Sequence, residues 1–194
     1  YQQTLERELG DELAQTFTQS LYEQSKGKVK TATKFFYELG LQWAPLMYEW
    51  ALWVENNAEG TIALVLRDAK PLSMLPIAKK WRKLYLNRIF CGVSDELSGD
   101  MTHKQHPLLA QYLEQNACAK YFTFVDSGCY GTVVLELHKL GVACKPLFFF
   151  SKNPAIPGFL NEIGVSMKDG EILNDSLECC FPHLQHRPSV LEKR

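Results

Sequence analysis

The sequence predicts an α/β domain in which a parallel sheet of about four or more strands carries flanking helices, preceded by an N-terminal helical segment. Three observations predict it. From residue 61 onward, short continuous apolar runs alternate with amphipathic segments, the rhythm of strand–helix–strand units. Turn-forming residues separate the two halves of the chain at Asn56, Asn57 and Gly60. Upstream the period is helical instead: Leu5, Leu9, Leu13, Phe17 and Leu21 recur every four residues, which gathers apolar groups on one helical face.

Taken in order, the first helix covers 5–21 and is followed by Lys26, Lys28, Lys30 and Lys34, with Gly27 placing a break between helices. These lysines read either as a solvated turn or as a phosphate-contacting patch. Residues 31–57 are rich in aromatics (Phe35, Phe36, Tyr37, Trp43, Tyr48, Trp50, Trp53) and carry Pro45, so two buried helical pieces are expected. The strands are expected over 61–66, 85–90, 121–125 and 146–150, and the helices over 71–84, 107–116 and 131–140, the last stopped by Gly141. Strands joined through helices imply right-handed crossovers and a sheet covered on both faces. Beyond 153 four prolines and no clear period predict an irregular tail along the sheet edge. The organisation is therefore a helical segment over 1–57, an α/β core over 58–152 and a tail over 153–194, together one compact domain.

With 194 residues, 46% of them apolar, the chain has ample material for a core, which excludes a disordered chain. Its 21 basic and 22 acidic residues leave a net charge of −1, so no global field draws in nucleic acid or an anionic membrane. Attraction to a ligand must be local. Six cysteines lie in or beside apolar runs without a secreted framework, and no apolar run reaches the roughly 20 residues of a membrane helix. A soluble cytoplasmic protein with reduced thiols is expected. The chain opens on Tyr1, so an upstream domain or a partner protein is expected to complete it.

The chemistry concentrates at the end of the third strand, where Phe122–Asp126 leads into Ser127, Gly128, Cys129, Tyr130, Gly131 and Thr132 and then into a helix. In parallel sheets ligands bind at the carboxyl ends of the strands, and a helix N-terminus offers unpaired amides and a partial positive charge. Gly128 and Gly131 let the backbone approach a phosphate, and Thr132 adds a hydroxyl. Asp126 suits ribose hydroxyls or a magnesium ion, since a carboxylate repels phosphate. The same residues also read as a helix cap with a tight turn. The end of the first strand supplies the cations Arg67 and Lys70 with the carboxylate of Asp68, and the second strand supplies Arg88; these read either as a locally positive pocket or, for Arg67 and Asp68, as a surface ion pair. Neither the dinucleotide nor the nucleoside-triphosphate fingerprint is present.

On these residues, the strand, Asp126, the glycine–threonine loop and the helix resemble the phosphoribose-binding loop of type I phosphoribosyltransferases, a Rossmann-like fold. The resemblance spans residues 61–150. It implies a phosphorylated ribose or nucleotide as ligand, with Asp126 as the catalytic acid at the sugar. It further implies phosphate contacts from residues 127–132, a second phosphate at Arg67, Asp68 and Lys70 with Arg88, and magnesium as cofactor for a transferase. One acid stands where that family has two, and the loop is shorter. Residues 66–68 and 125–132 also resemble a region accompanying some haloacid-dehalogenase-like hydrolases, whose D-x-D nucleophile motif is absent from them. The alternatives to a transferase are a non-catalytic nucleotide-sensing or interaction module and the C-terminal part of such a hydrolase. Cys179, Cys180, His183 and His186 lack the usual zinc spacing, so no metal ligands are assigned. His103 and His106, in the loop before a helix, read either as surface histidines or as acid–base groups over the pocket, and Cys129 has no assigned base, His138 lying about two turns along the following helix.

Overall fold

The computed structural model describes residues 30–66, 69–86, 109, 111–116, 121–139 and 141–180, with side chains described between 41 and 177. The helix predicted over 5–21, together with Lys26, Lys28, Arg67, Asp68, Arg88, His103, His106, His183 and His186, lies outside these residues. Two compact units are formed: residues 1–55 with 71–80, and residues 56–70 with 81–194.

The first unit contains α1 (Lys30–Asn57), which continues through Pro45 where the sequence predicts a break. A proline inside a helix costs about 3 kcal/mol because it removes one hydrogen bond and crowds the preceding turn. Against this, Ala44, Met47, Trp50, Ala51 and Val54 form a fully buried stripe. Burial of three large side chains contributes roughly 1.5–3 kcal/mol each, so the stripe outweighs the proline. The same unit holds 71–80, where the expected single helix over 71–84 is replaced by two short 3-10 turns, Lys70–Met74 and Pro76–Lys80. Pro76 is the reason: it has no N–H to donate and disfavours the α conformation at Leu75.

The second unit is the predicted sheet. Its strands are β1 (Ile62–Val65), β2 (Lys83–Leu86), β3 (Phe122–Asp126) and β4 (Cys144–Phe148), all parallel, in the order β2-β1-β3-β4. Every side chain of β1 and β3 is buried, as central strands require. Two strands begin earlier than predicted. β2 starts at Lys83, and its predicted continuation over 87–90 lies outside the described residues. β4 starts at Cys144 and accommodates Pro146 because it is an edge strand, where a missing N–H need not break a ladder.

Alternation along the strands sorts the core. Ala63, Val65, Leu84, Leu86, Phe122, Phe124 and Phe148 meet Val133, Val134 and Leu137 of α2 (Thr132–Lys139), joined by Leu109 and by Leu113 from a helical run at 111–115. Phe124 and Phe148 pack with ring centroids 6.3 Å apart at 58°. On the opposite face the buried Thr123 hydroxyl donates to the Glu59 carbonyl at 2.9 Å and accepts from its N–H at 2.8 Å. That side chain fixes the lead-in to β1. The predicted stop of α2 is a Schellman motif: Val142 N–H bonds the Leu137 carbonyl at 2.9 Å, Gly141 N–H bonds the His138 carbonyl at 2.9 Å, and Gly141 has φ of +73°.

Within the described part of the tail, up to 180, helices stand where irregularity is predicted. They are α3 (Phe159–Glu162) and α4 (Met167–Cys180). The buried line of α4 is Gly170, Asn174 and Leu177, one large apolar residue among three, so the usual apolar period is absent.

Cys144 gives this core a pH signature. Burial pushes its thiol up to about 11 from a usual value of 9.0. The folded state keeps the proton while the unfolded chain releases it, so stability is full below pH 9.0 and falls as pH rises towards about 11. Urea midpoints of the wild type are expected to drop across this window by more than those of Cys144→Val, which lacks the thiol. Parallel pH dependences would contradict the assignment.

Candidate functional site at the end of β3

The strand order places a topological switch point between β1 and β3. The chain leaves β1 towards β2 on one side and leaves β3 towards β4 on the other, which opens a crevice at the carboxyl ends of the two central strands. Leu64 pairs with Val125, so the next residues, Val65 and Asp126, are level there. At the same end, the Ala69 N–H bonds the Val65 carbonyl at 3.2 Å. Lys70 opens the following 3-10 turn and is half-buried. The sheet register therefore sets the end of β1 level with the end of β3.

The 126–132 loop is held more firmly than a mobile binding loop. Beyond β3 the ladder to the neighbouring segment continues: Phe149 N–H bonds the Asp126 carbonyl at 3.0 Å, Phe150 N–H the Ser127 carbonyl at 2.9 Å, and Lys152 N–H the Cys129 carbonyl at 2.9 Å. Gly128 sits between these bonds with φ of +134°, a region open to glycine, and the Gly128–Cys129 peptide is cis. A Cβ at Gly128 would overlap the Phe150 carbonyl oxygen. Gly131, with φ of +81°, turns the chain into α2, and its carbonyl accepts the first helical bond from Leu135 N–H at 3.0 Å.

The predicted site residues divide by exposure. Asp126 is 3% exposed and Ser127 is fully buried, and the Asp126 Oδ1 accepts the Ser127 N–H at 2.8 Å. Gly128 and Cys129 are partly exposed, Gly131 is buried, and Tyr130 and Thr132 are open to solvent. The surface offered to a ligand is thus the turn from Gly128 to Thr132 and the opening amides of α2, which helix geometry leaves without intrahelical acceptors. Ser127 acts as a buried support beneath it.

Three residues outside the predicted set shape this surface. The Lys152 ammonium forms an ion pair with Glu171 of α4, lies 3.2 Å from the Tyr130 hydroxyl, and is 5.1 Å from the Tyr130 ring centroid. Its hydrogen bond to Glu171, and then that to Tyr130, raise its pKa, so it stays charged throughout the physiological range. Asn174, fully buried on α4, donates from Nδ2 to the Cys129 sulfur at 3.4 Å. Together they fasten the loop tip to the last helix. No local motif announces them, because 22 residues separate Tyr130 from Lys152 and 45 separate Cys129 from Asn174.

Magnesium fits this loop poorly as a resident ion. Among the described residues no three His, Cys, Asp or Glu side chains gather in metal-binding geometry. The loop's carboxylate is buried and directed at its own backbone. A divalent ion would need the oxygen-rich shell that a phosphorylated ligand brings with it. Cys129 likewise has no general base at hand within the loop: His138 is six residues beyond Thr132 on α2, about 9 Å along the helix axis, and is exposed. No helix among the described residues is long and apolar enough to cross a membrane.

Comparison with family models, with curated proteins and with solved structures finds no match. The functional reading rests on the site itself.

Proposed function

We propose that this chain is a phosphoribosyltransferase-like domain that binds a phosphorylated ribose or a nucleotide at the 126–132 loop. The observation that supports this most is the position of a glycine-bounded strand–helix turn at the switch point of a parallel sheet, the place where such sheets collect ligands. In this reading the amides opening α2 and the Thr132 hydroxyl hold a phosphate, and Gly128 allows the close backbone approach. The sugar extends towards the end of β1, and the positive charges of Arg67, Lys70 and Arg88 serve a second phosphate, with Asp68 between the first two in sequence. Magnesium enters with the ligand's phosphates.

One observation favours a second reading, a sensing or interaction module that binds without turnover. A carboxylate that is 3% exposed and bonded to Ser127 N–H is badly placed to meet a substrate. The substitution Asp126→Asn separates the two, because an amide keeps the acceptor for Ser127 N–H while removing the charge. A transferase is expected to lose product formation by at least about 100-fold, the scale of acid–base assistance, with ligand affinity retained. A module shows the same affinity in both proteins and no product in either. Loss of binding in a folded Asp126→Asn protein contradicts both, since neither places that charge on the phosphate.

A further inference from the structure

A second cleft lies at the opposite end of the sheet. It is lined by Thr61, Arg82, Lys83, Leu84, Gln115 and Asn116 and encloses about 290 Å³. The fold brings these residues together through identifiable bonds. Ile62 N–H bonds the Arg82 carbonyl at 2.8 Å, which sets the amino ends of β1 and β2 side by side. The Tyr112 hydroxyl donates to the Tyr85 carbonyl at 3.0 Å, tying the helical run at 111–115 to β2 and carrying Gln115 and Asn116 to the cleft.

Among the described residues the lining is one-sided in charge: two cations, two carboxamides and a hydroxyl, with no carboxylate. Nearby acids are directed elsewhere. Glu59 is ion-paired with Lys145, and Glu114, adjacent to Gln115, does not line the cleft. The Tyr112 carbonyl, which would repel an anion at the end of the helical run, is occupied by the Asn116 N–H at 3.2 Å and the Asn116 Nδ2 at 2.8 Å. Among the described residues the Arg82 guanidinium, the Thr61 hydroxyl and the Gln115 amide make no hydrogen bond, whereas Lys83 and Asn116 have partners. The volume falls just below the roughly 300–1,000 Å³ of sites for drug-sized molecules, so the occupant is small.

We propose that this cleft is a binding site for a small oxyanion, a phosphate or carboxylate group, held by Arg82 with Lys83, Gln115 and Thr61. A guanidinium fork matches both groups in geometry and charge. The cleft is separate from the loop at Asp126, because Thr61 and Val65 bracket the length of β1 and four residues of strand span about 13 Å.

The test is an amide-resolved NMR titration of the intact chain with inorganic phosphate and, separately, with acetate, on wild type and Arg82→Gln. Saturable shifts at the Thr61, Arg82 and Leu84 amides are expected. Arg82 is exposed, so the variant folds, and it should weaken binding about tenfold, the loss of one charge-assisted pair. Any response at Gly128 to Thr132 should persist unchanged in the variant. Saturation by phosphate alone assigns the site to phosphate esters, and saturation by acetate to carboxylates. Absence of saturable shifts with both anions, or equal affinity in wild type and Arg82→Gln, overturns the proposal.

Discussion

Replacing Gly128 with alanine is expected to lower the melting temperature of the protein by roughly 6–12 °C, from a loss of about 3 kcal/mol at 2–4 °C per kcal/mol for a chain of this size. Two effects combine. A side chain at φ of +134° is strained whatever space surrounds it, at a cost of about 1–3 kcal/mol. The new methyl group also meets the Phe150 carbonyl oxygen, and that oxygen cannot swing aside without turning the Ser151 N–H of the same peptide away from Asn161 Oδ1, which it bonds at 2.9 Å. Overpacking of this kind costs typically about 1–3 kcal/mol more. Thermal unfolding by circular dichroism checks the size. Hydrogen exchange checks the place, because the Phe150 and Lys152 amides should lose protection before those of β1. An unchanged melting temperature would mean that the loop is not fastened to 149–152 as described.

The second large effect is expected at Gly170, where two forces oppose each other. Alanine in a helix interior is favoured over glycine by up to about 1 kcal/mol, which alone predicts stabilisation of α4. Yet a Cβ at this position would lie 2.6 Å from Cδ2 of the Phe150 ring and closer still to Cε2. Phe150 is fully buried and its backbone is pinned to Ser127, so the ring has little room to retreat. An overpacking cost of about 1–3 kcal/mol outweighs the helical gain, and Gly170→Ala is expected to destabilise by about 1–2 kcal/mol. Gly170→Val, with a larger side chain and weaker helix propensity, should cost about 3 kcal/mol or more. A double-mutant cycle with Phe150→Leu identifies the cause: trimming the ring should recover part of the loss, giving a coupling of at least about 0.5 kcal/mol. Stabilisation by Gly170→Ala would show that helix propensity prevails and that α4 does not press on Phe150.

Both substitutions act on the same strut, and that strut is where reading the sequence succeeds least. The central strands were legible because 61–66 and 121–125 are continuous apolar runs closed by turn residues, and burial on both faces demands that composition. The start of α2 and its stop at Gly141 were legible for a local reason: helix ends depend on residues within one turn. β4 starts two residues before the sequence predicts, because Pro146 argues against a strand interior unless the strand is known to lie at an edge. That knowledge comes from strand order alone. α4 was invisible because its buried line is filled by Gly170 and Asn174, chosen by the shape of Phe150 and the position of Cys129, not by hydrophobicity.

The site shows the same division. The loop from Asp126 to Thr132 could be located from its glycines and its place between strand and helix. Its internal roles could not: Asp126 and Ser127 are consumed in supporting the turn, and the exposed face belongs to Gly128, Tyr130 and Thr132. The Lys152 contact to Tyr130 is a tertiary pairing and leaves no trace in local periodicity. For these reasons the sequence supports a ligand-binding reading of the loop more strongly than a catalytic one.

The most direct test of that reading is a calorimetric titration of the intact chain with phosphoribosyl pyrophosphate and with ribose 5-phosphate, each with and without magnesium, on wild type and Thr132→Val. The account predicts saturable binding of at least one of the two, weakened by roughly threefold to tenfold in the variant, the range expected for loss of one hydroxyl hydrogen bond. Absence of binding by either compound under every condition would contradict it, and would leave the 126–132 loop as the turn and cap that join β3 to α2.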